Sequence, residues 1–173
     1  QNYETTRTIE VPTREGYTFA GWTLTGKGKI TTNTPIATME QVYTYGAGDG
    51  TLTANWSINE YTLTRKAETG GTASGSSGNL DYGTSCTIIA TPSAGYNFAG
   101  WYEGSTRVSA DASYTFNMPA KNYTLVAKFT AIQYTITYDL AGGSLAEGIT
   151  NKEEYTVETE SFTLNNPSKV GYT

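Results

Sequence analysis

The chain has 173 residues and a net charge of −5, and only 16% of its residues are Asp, Glu, Lys or Arg, against roughly 25% in an average globular chain. It contains no histidine, which excludes His-based metal sites, Ser-His and Cys-His nucleophile pairs and histidine pH switching. The acidic balance is the wrong sign for sequence-independent phosphate binding, so no nucleic-acid partner is expected, and no apolar run approaches the ~20 residues that span a bilayer.

Thr, Gly and Tyr number 32, 19 and 14 and together exceed a third of the chain. Threonine and tyrosine favour half-buried strands, and glycine favours the turns between them. The expected fold is therefore mainly β. In chain order, the first marked element is GYTFAGW, Gly16 to Trp22, followed by TLTANW, Thr51 to Trp56, with Leu52, Ala54 and Trp56 on one face. INEYTLT opens at Ile58, where Tyr61 and Leu63 alternate with Thr62 and Thr64. The Gly/Ser-rich stretch from Gly70 to Gly83 reads as a hairpin loop with a mobile tip. Cys86, Ile88 and Ala90 then share one strand face.

GYNFAGW follows at Gly95 to Trp101. A regular strand would send Phe98 and Trp101 to opposite faces, so a bulge is expected between them, with Gly100 allowing it. Tyr114, Phe116 and Met118 share a face, as do Leu125, Ala127 and Phe129. Tyr134, Ile136, Tyr138 and Leu140 form a further alternating run, and Ser144 to Glu154 is the best helix candidate, with Ser144 as its cap and Gly148 against it. Phe98, Trp101, Tyr114, Phe116 and Phe129 are the expected core, each removing ~150–250 Å² from water.

Three markers recur in one order. GYTFAGW returns as GYNFAGW after 95 − 16 = 79 residues, and a third copy begins at Gly171-Tyr172-Thr173. TLTANW returns as TLVAKF after 124 − 51 = 73 residues, and INEYTLT returns as IQYTIT at Ile132. Each opening strand leads to a Gly-Gly pair, Gly70-Gly71 and Gly142-Gly143. The chain thus reads as a window on a longer tandem array: residues 1–57 the C-terminal part of one repeat, 58–131 a complete repeat, and 132–173 the N-terminal part of another. The first partial repeat lacks its opening strand, and the last carries that strand without its partners. Residues 134–140 are therefore expected to pair with the 1–56 half, within one chain or head-to-tail between chains.

GYTFAGW, TLTANW and YTITYDLAGGSL together resemble the Listeria–Bacteroides repeat family, the internalin-type B-repeats of bacterial surface proteins. The middle repeat, with YTLTRKAETGGTASG and GTSCTIIATPSAGYNFAGWY, is similar to the family's divergent branch. The resemblance implies small α+β, β-grasp-like repeats in tandem on extracellular, wall-attached or secreted proteins. It also implies a stalk, spacer or adhesion role, partners such as a surface protein or glycan of a host or neighbouring cell, and no enzymatic residues. Cys86 stands where the family usually places an aliphatic residue.

The chemistry-bearing residues are few. Tyr17 and Tyr102, which flank the motif's aromatic core, are the candidate exposed contacts for a sugar or peptide. Cys86 lies in an alternating strand with no base to activate it and reads as a small buried hydrophobe. Glu147, Glu153, Glu154, Glu158 and Glu160 lack the spacing of a calcium loop and read as a solvated face. No catalytic residue, metal site or cofactor is expected. A glycan- or protein-binding module of a secreted enzyme is the alternative to a spacer.

Overall fold

Apolar–polar alternation punctuated by glycine makes strands the regular elements of this chain, and the described residues hold no helix. The structure, a computed structural model, describes residues 6–31, 41–44 and 48–172. Its strands are β1 (Thr6–Ile9), β2 (Tyr17–Gly26), β3 (Lys29–Thr31), β4 (Gln41–Thr44), β5 (Gly50–Ile58), β6 (Glu60–Ala67), β7 (Gly71–Gly75) and β8 (Gly78–Asp81). They continue as β9 (Ser85–Pro92), β10 (Tyr96–Glu103), β11 (Thr106–Ser109), β12 (Ser113–Asn117), β13 (Tyr123–Ala131), β14 (Tyr134–Thr135) and β15 (Glu154–Tyr155).

The described residues fall into two compact units. One is drawn from Gln1–Thr64, Ser76–Thr87 and Thr115–Tyr123, the other from Arg65–Gly75, Ile88–Tyr114 and Thr124–Thr173. In the first, β1, β4 and β3 form a small antiparallel sheet in that order. There β2 runs the length of β5, from Tyr17↔Ile58 to Gly26↔Gly50, and β6 pairs β8 from Glu60↔Asp81 to Leu63↔Gly78. Phe19, Leu63, Cys86, Met118 and Tyr123 are buried here.

In the second unit β10 lies between β11 and β13, and β7 pairs β9 from Gly71↔Pro92 to Gly75↔Ile88. Its core holds Ile88, Ala90, Trp101, Leu125 and Ala127, each under 5% exposed. The expected strand faces are present: Cys86, Ile88 and Ala90 all point inward, and Leu52, Ala54 and Trp56 form the covered side of β5.

Three expectations are corrected. The Gly70–Gly83 stretch is not a hairpin loop, because β7 and β8 belong to different ladders. Gly70 and Gly71 serve close packing: a Cβ on Gly71 would meet the Phe129 ring at 2.3 Å, and one on Gly70 the Tyr96 ring at 2.4 Å. Residues 144–154 form no helix. Ser144 exchanges both backbone bonds with Ser168 at 2.9 Å, a turn closes from Ile149 N–H to the Ala146 carbonyl, and Gly148 takes φ +75°. Asn151 accepts from Asn165 N–H at 2.7 Å, and its amide donates to the Asn165 carbonyl at 3.1 Å. Long-range bonds outcompete a weak local helix.

The third correction concerns the 134–140 run. Only β14 is a strand there, and its partner is β15, through Tyr134↔Tyr155 and Thr135↔Glu154, rather than the 1–56 half of the same chain.

Candidate functional site

The repeated aromatic motif builds the same local structure twice. In both copies it opens with a four-residue turn, closed by Tyr17 N–H to the Arg14 carbonyl and by Tyr96 N–H to the Ser93 carbonyl, each at 3.1 Å. Gly16 (φ +74°) and Gly95 (φ +82°) hold the third position, the type II arrangement that favours glycine. The strands that follow, β2 and β10, then bulge at the same place. Phe19 pairs Trp56 and Gly21 pairs Asn55, as Phe98 pairs Phe129 and Gly100 pairs Lys128. The extra residue returns Trp22 and Trp101 to the side of the preceding phenylalanine, as the spacing requires.

The rings repeat as well. Phe19 meets Trp22 and Trp56 at 5.4 and 5.6 Å between centroids, and Phe98 meets Trp101 and Phe129 at 6.0 and 5.8 Å. Phe19 and Trp101 are buried, while Trp22 and Phe98 are half-buried against them.

Tyr17 and Tyr102 are both half-buried. The Arg14 guanidinium lies 3.9 Å above the Tyr17 ring, whose other neighbour is Tyr82, edge-on at 6.0 Å. The Lys128 ammonium lies 4.9 Å from the Tyr102 centroid and 3.4 Å from the Glu68 carboxylate. Each phenol thus carries a cation on its face. Tyr82, an unexpected neighbour, had one local signal: it follows Asp81 in a D-Y-G turn.

Other chemical groups are quiet. The Cys86 thiol is buried and donates to the Thr84 carbonyl, and burial pushes its pKa up, away from thiolate character. Among the described residues no three Cys, Asp or Glu side chains come together as a metal-binding group. Glu154 accepts from the Gln133 amide, and Glu158 accepts from the Tyr96 hydroxyl at 2.9 Å. A groove of about 610 Å³ lies in the last segment, lined by Ile136, Tyr138, Leu140, Leu145, Ile149 and Glu153 among others. No helix among the described residues is long and apolar enough to cross a membrane.

Comparison with known proteins agrees with this repetition. The Listeria-Bacteroides repeat domain matches residues 1–55 and 134–173, and the divergent InlB B-repeat domain matches residues 61–133. The chain belongs to the Listeria-Bacteroides repeat family, with a divergent InlB B-repeat in its middle. Internalin H of Listeria monocytogenes is 36% identical over 120 residues, 69% of this chain and 20% of that protein. A protein of Evansella cellulosilytica named "Putative membrane protein" is 30% identical over 140 residues, 79% of this chain and 20% of its own length. The chain spans about a fifth of the length of these curated relatives. No solved structure matches it.

Proposed function

We propose that the chain is a non-enzymatic, extracellular repeat segment of a bacterial surface or secreted protein, and that it acts as a stalk or spacer. Its β-grasp-like repeats run over residues 1–57, 58–131 and 132–173. The observation that carries this reading is the brevity of the connections between repeats. Only Asn59 separates β5 from β6, and only Ile132 and Gln133 separate β13 from β14. Connections this short give neighbouring repeats little freedom, unlike a flexible polar tether. Membership of a repeat family that includes part of an internalin supports the surface location.

The test is a screen of the purified chain on glycan arrays, mucin and host-cell surfaces. A spacer gives no reproducible binding while its circular dichroism reports an intact β fold. Binding that is lost in Tyr17→Ala or Tyr102→Ala would overturn the spacer reading in favour of an adhesion or glycan-binding module.

A further inference from the structure

We infer that the first glycine of each Gly-Tyr-x-Phe motif is a socket that fastens its repeat to a turn of the next one. The inference deepens the spacer reading and rests on it for its biological meaning, although the joint itself is a separate claim. Gly16 and Gly95 make the same contacts with residues that follow them in equivalent places. The Gly16 carbonyl accepts from Asn59 N–H at 2.9 Å, and the Gly95 carbonyl accepts from Ile132 N–H at 2.8 Å. Asn59 and Ile132 are the first residues after β5 and β13. A Cβ on Gly16 would fall 2.1 Å from the Tyr82 ring, and one on Gly95 would fall 2.1 Å from a Val157 methyl.

The two occupants also match. Tyr82 is the second residue of a turn closed by Thr84 N–H to the Asp81 carbonyl at 3.1 Å. Val157 is the second residue of a turn closed by Thr159 N–H to the Thr156 carbonyl at 3.0 Å. Each turn follows the second strand of its repeat's opening pair, β8 or β15. The motif tyrosine adds a third contact at both joints. The Tyr17 ring meets Tyr82, and the Tyr96 hydroxyl donates to the Glu158 carboxylate. At the first joint Asn59 also accepts from the Thr18 hydroxyl at 2.6 Å and from Tyr82 N–H at 2.9 Å.

Turn geometry alone does not require this packing. Gly83, Gly104 and Gly148 have similarly positive φ, yet a Cβ on any of them would meet nothing within 4 Å. At Gly16 and Gly95, by contrast, the space beside the glycine is taken by a side chain from a turn further along the chain. A covalent link, a backbone hydrogen bond and a side chain in the socket are three separate attachments, enough to set the orientation of one repeat on the next.

The test uses the whole chain and measures amide hydrogen exchange by NMR in three proteins: the unaltered chain, Tyr82→Ala, and the double variant Tyr96→Phe/Val157→Ala. Truncating the occupant spares the glycine backbone. Protection of Asn59 N–H in the first variant and of Ile132 N–H in the second is expected to fall at least about tenfold, while Trp101 and Leu125 keep theirs. Unchanged protection of Asn59 and Ile132 in their respective variants overturns the joint. Should Tyr82→Ala unfold the chain throughout, the Ile132 amide in the double variant decides alone. Ligand binding in the glycan screen would sink the spacer reading and leave these exchange rates where they are.

Discussion

The Trp101 indole N–H donates to the Ala112 carbonyl at 3.3 Å, and the same carbonyl accepts from Ala90 N–H at 2.9 Å. One acceptor thus ties the fully buried Trp101 ring to β9. Trp101→Ala is expected to lower unfolding free energy by about 3–5 kcal/mol, the cost of emptying a large core site. Trp101→Phe should cost clearly less, since the carbonyl keeps its bond from Ala90. Urea denaturation followed by circular dichroism measures both, and equal losses for the two would contradict this account.

The bulge makes a separate demand. Gly100 has φ +142°, and a Cβ there would lie 2.6 Å from Arg107 Nε and 2.9 Å from the Ser109 carbonyl. Gly100→Ala should lose about 1–2 kcal/mol to the backbone and about 1–3 more to overpacking. Gly104→Ala, with open space around it, should lose only the first part. The difference between their denaturation midpoints checks the point.

Cys86 should be inert in the folded chain. Its exposure is 1%, and burial raises its thiol pKa. A thiol reagent is expected to label it only as fast as the protein opens, and rapid labelling in native buffer would show that the site is accessible. The linkage has a definite sign. The folded thiol keeps its proton longer than the unfolded one, so the stability is fully present below the ordinary thiol pKa of about 8.5. It is lost as pH rises above that value towards the raised folded one.

Tyr96 carries a similar signature for another reason. Its hydrogen bond to Glu158 comes first, then burial, then the carboxylate's charge, and all three raise the phenol pKa. The Tyr96 resonance in a ¹³C-tyrosine NMR titration should therefore move at higher pH than that of an ordinary tyrosine. Glu158→Gln should bring it back towards the ordinary range. The contribution to folding has the same sign as for Cys86, present at neutral pH and lost on the alkaline side.

Much of this architecture was legible in the chain. The period-two pattern through Cys86, Ile88 and Ala90 identified a buried strand face, because alternation maps directly onto the pleat. The bulge followed from three residues, since Phe98 and Trp101 can share a side only if one extra residue intervenes. Gly70 does lie in a turn, with φ +103°, but the close approach of Gly71 to Phe129 was not legible, because glycine signals a turn and a close approach with the same letter. Ser144 to Glu154 failed as a helix for a different reason: its backbone partners, Ser168 and Asn165, lie far along the chain. The contacts of Tyr82 and Val157 with the motif glycines are equally non-local. Apart from the D-Y-G letters around Tyr82, neither the turns that place these residues nor what they would touch shows in the local pattern.

The two halves of the turn-to-turn contact sit at different points of one repeat, the glycine late and its occupant early. The place of the contact within the repeat is the same at both joints, although the occupants differ, Tyr82 at one and Val157 at the other. In the spacer reading proposed above, the length of such an array is therefore set in steps of one repeat.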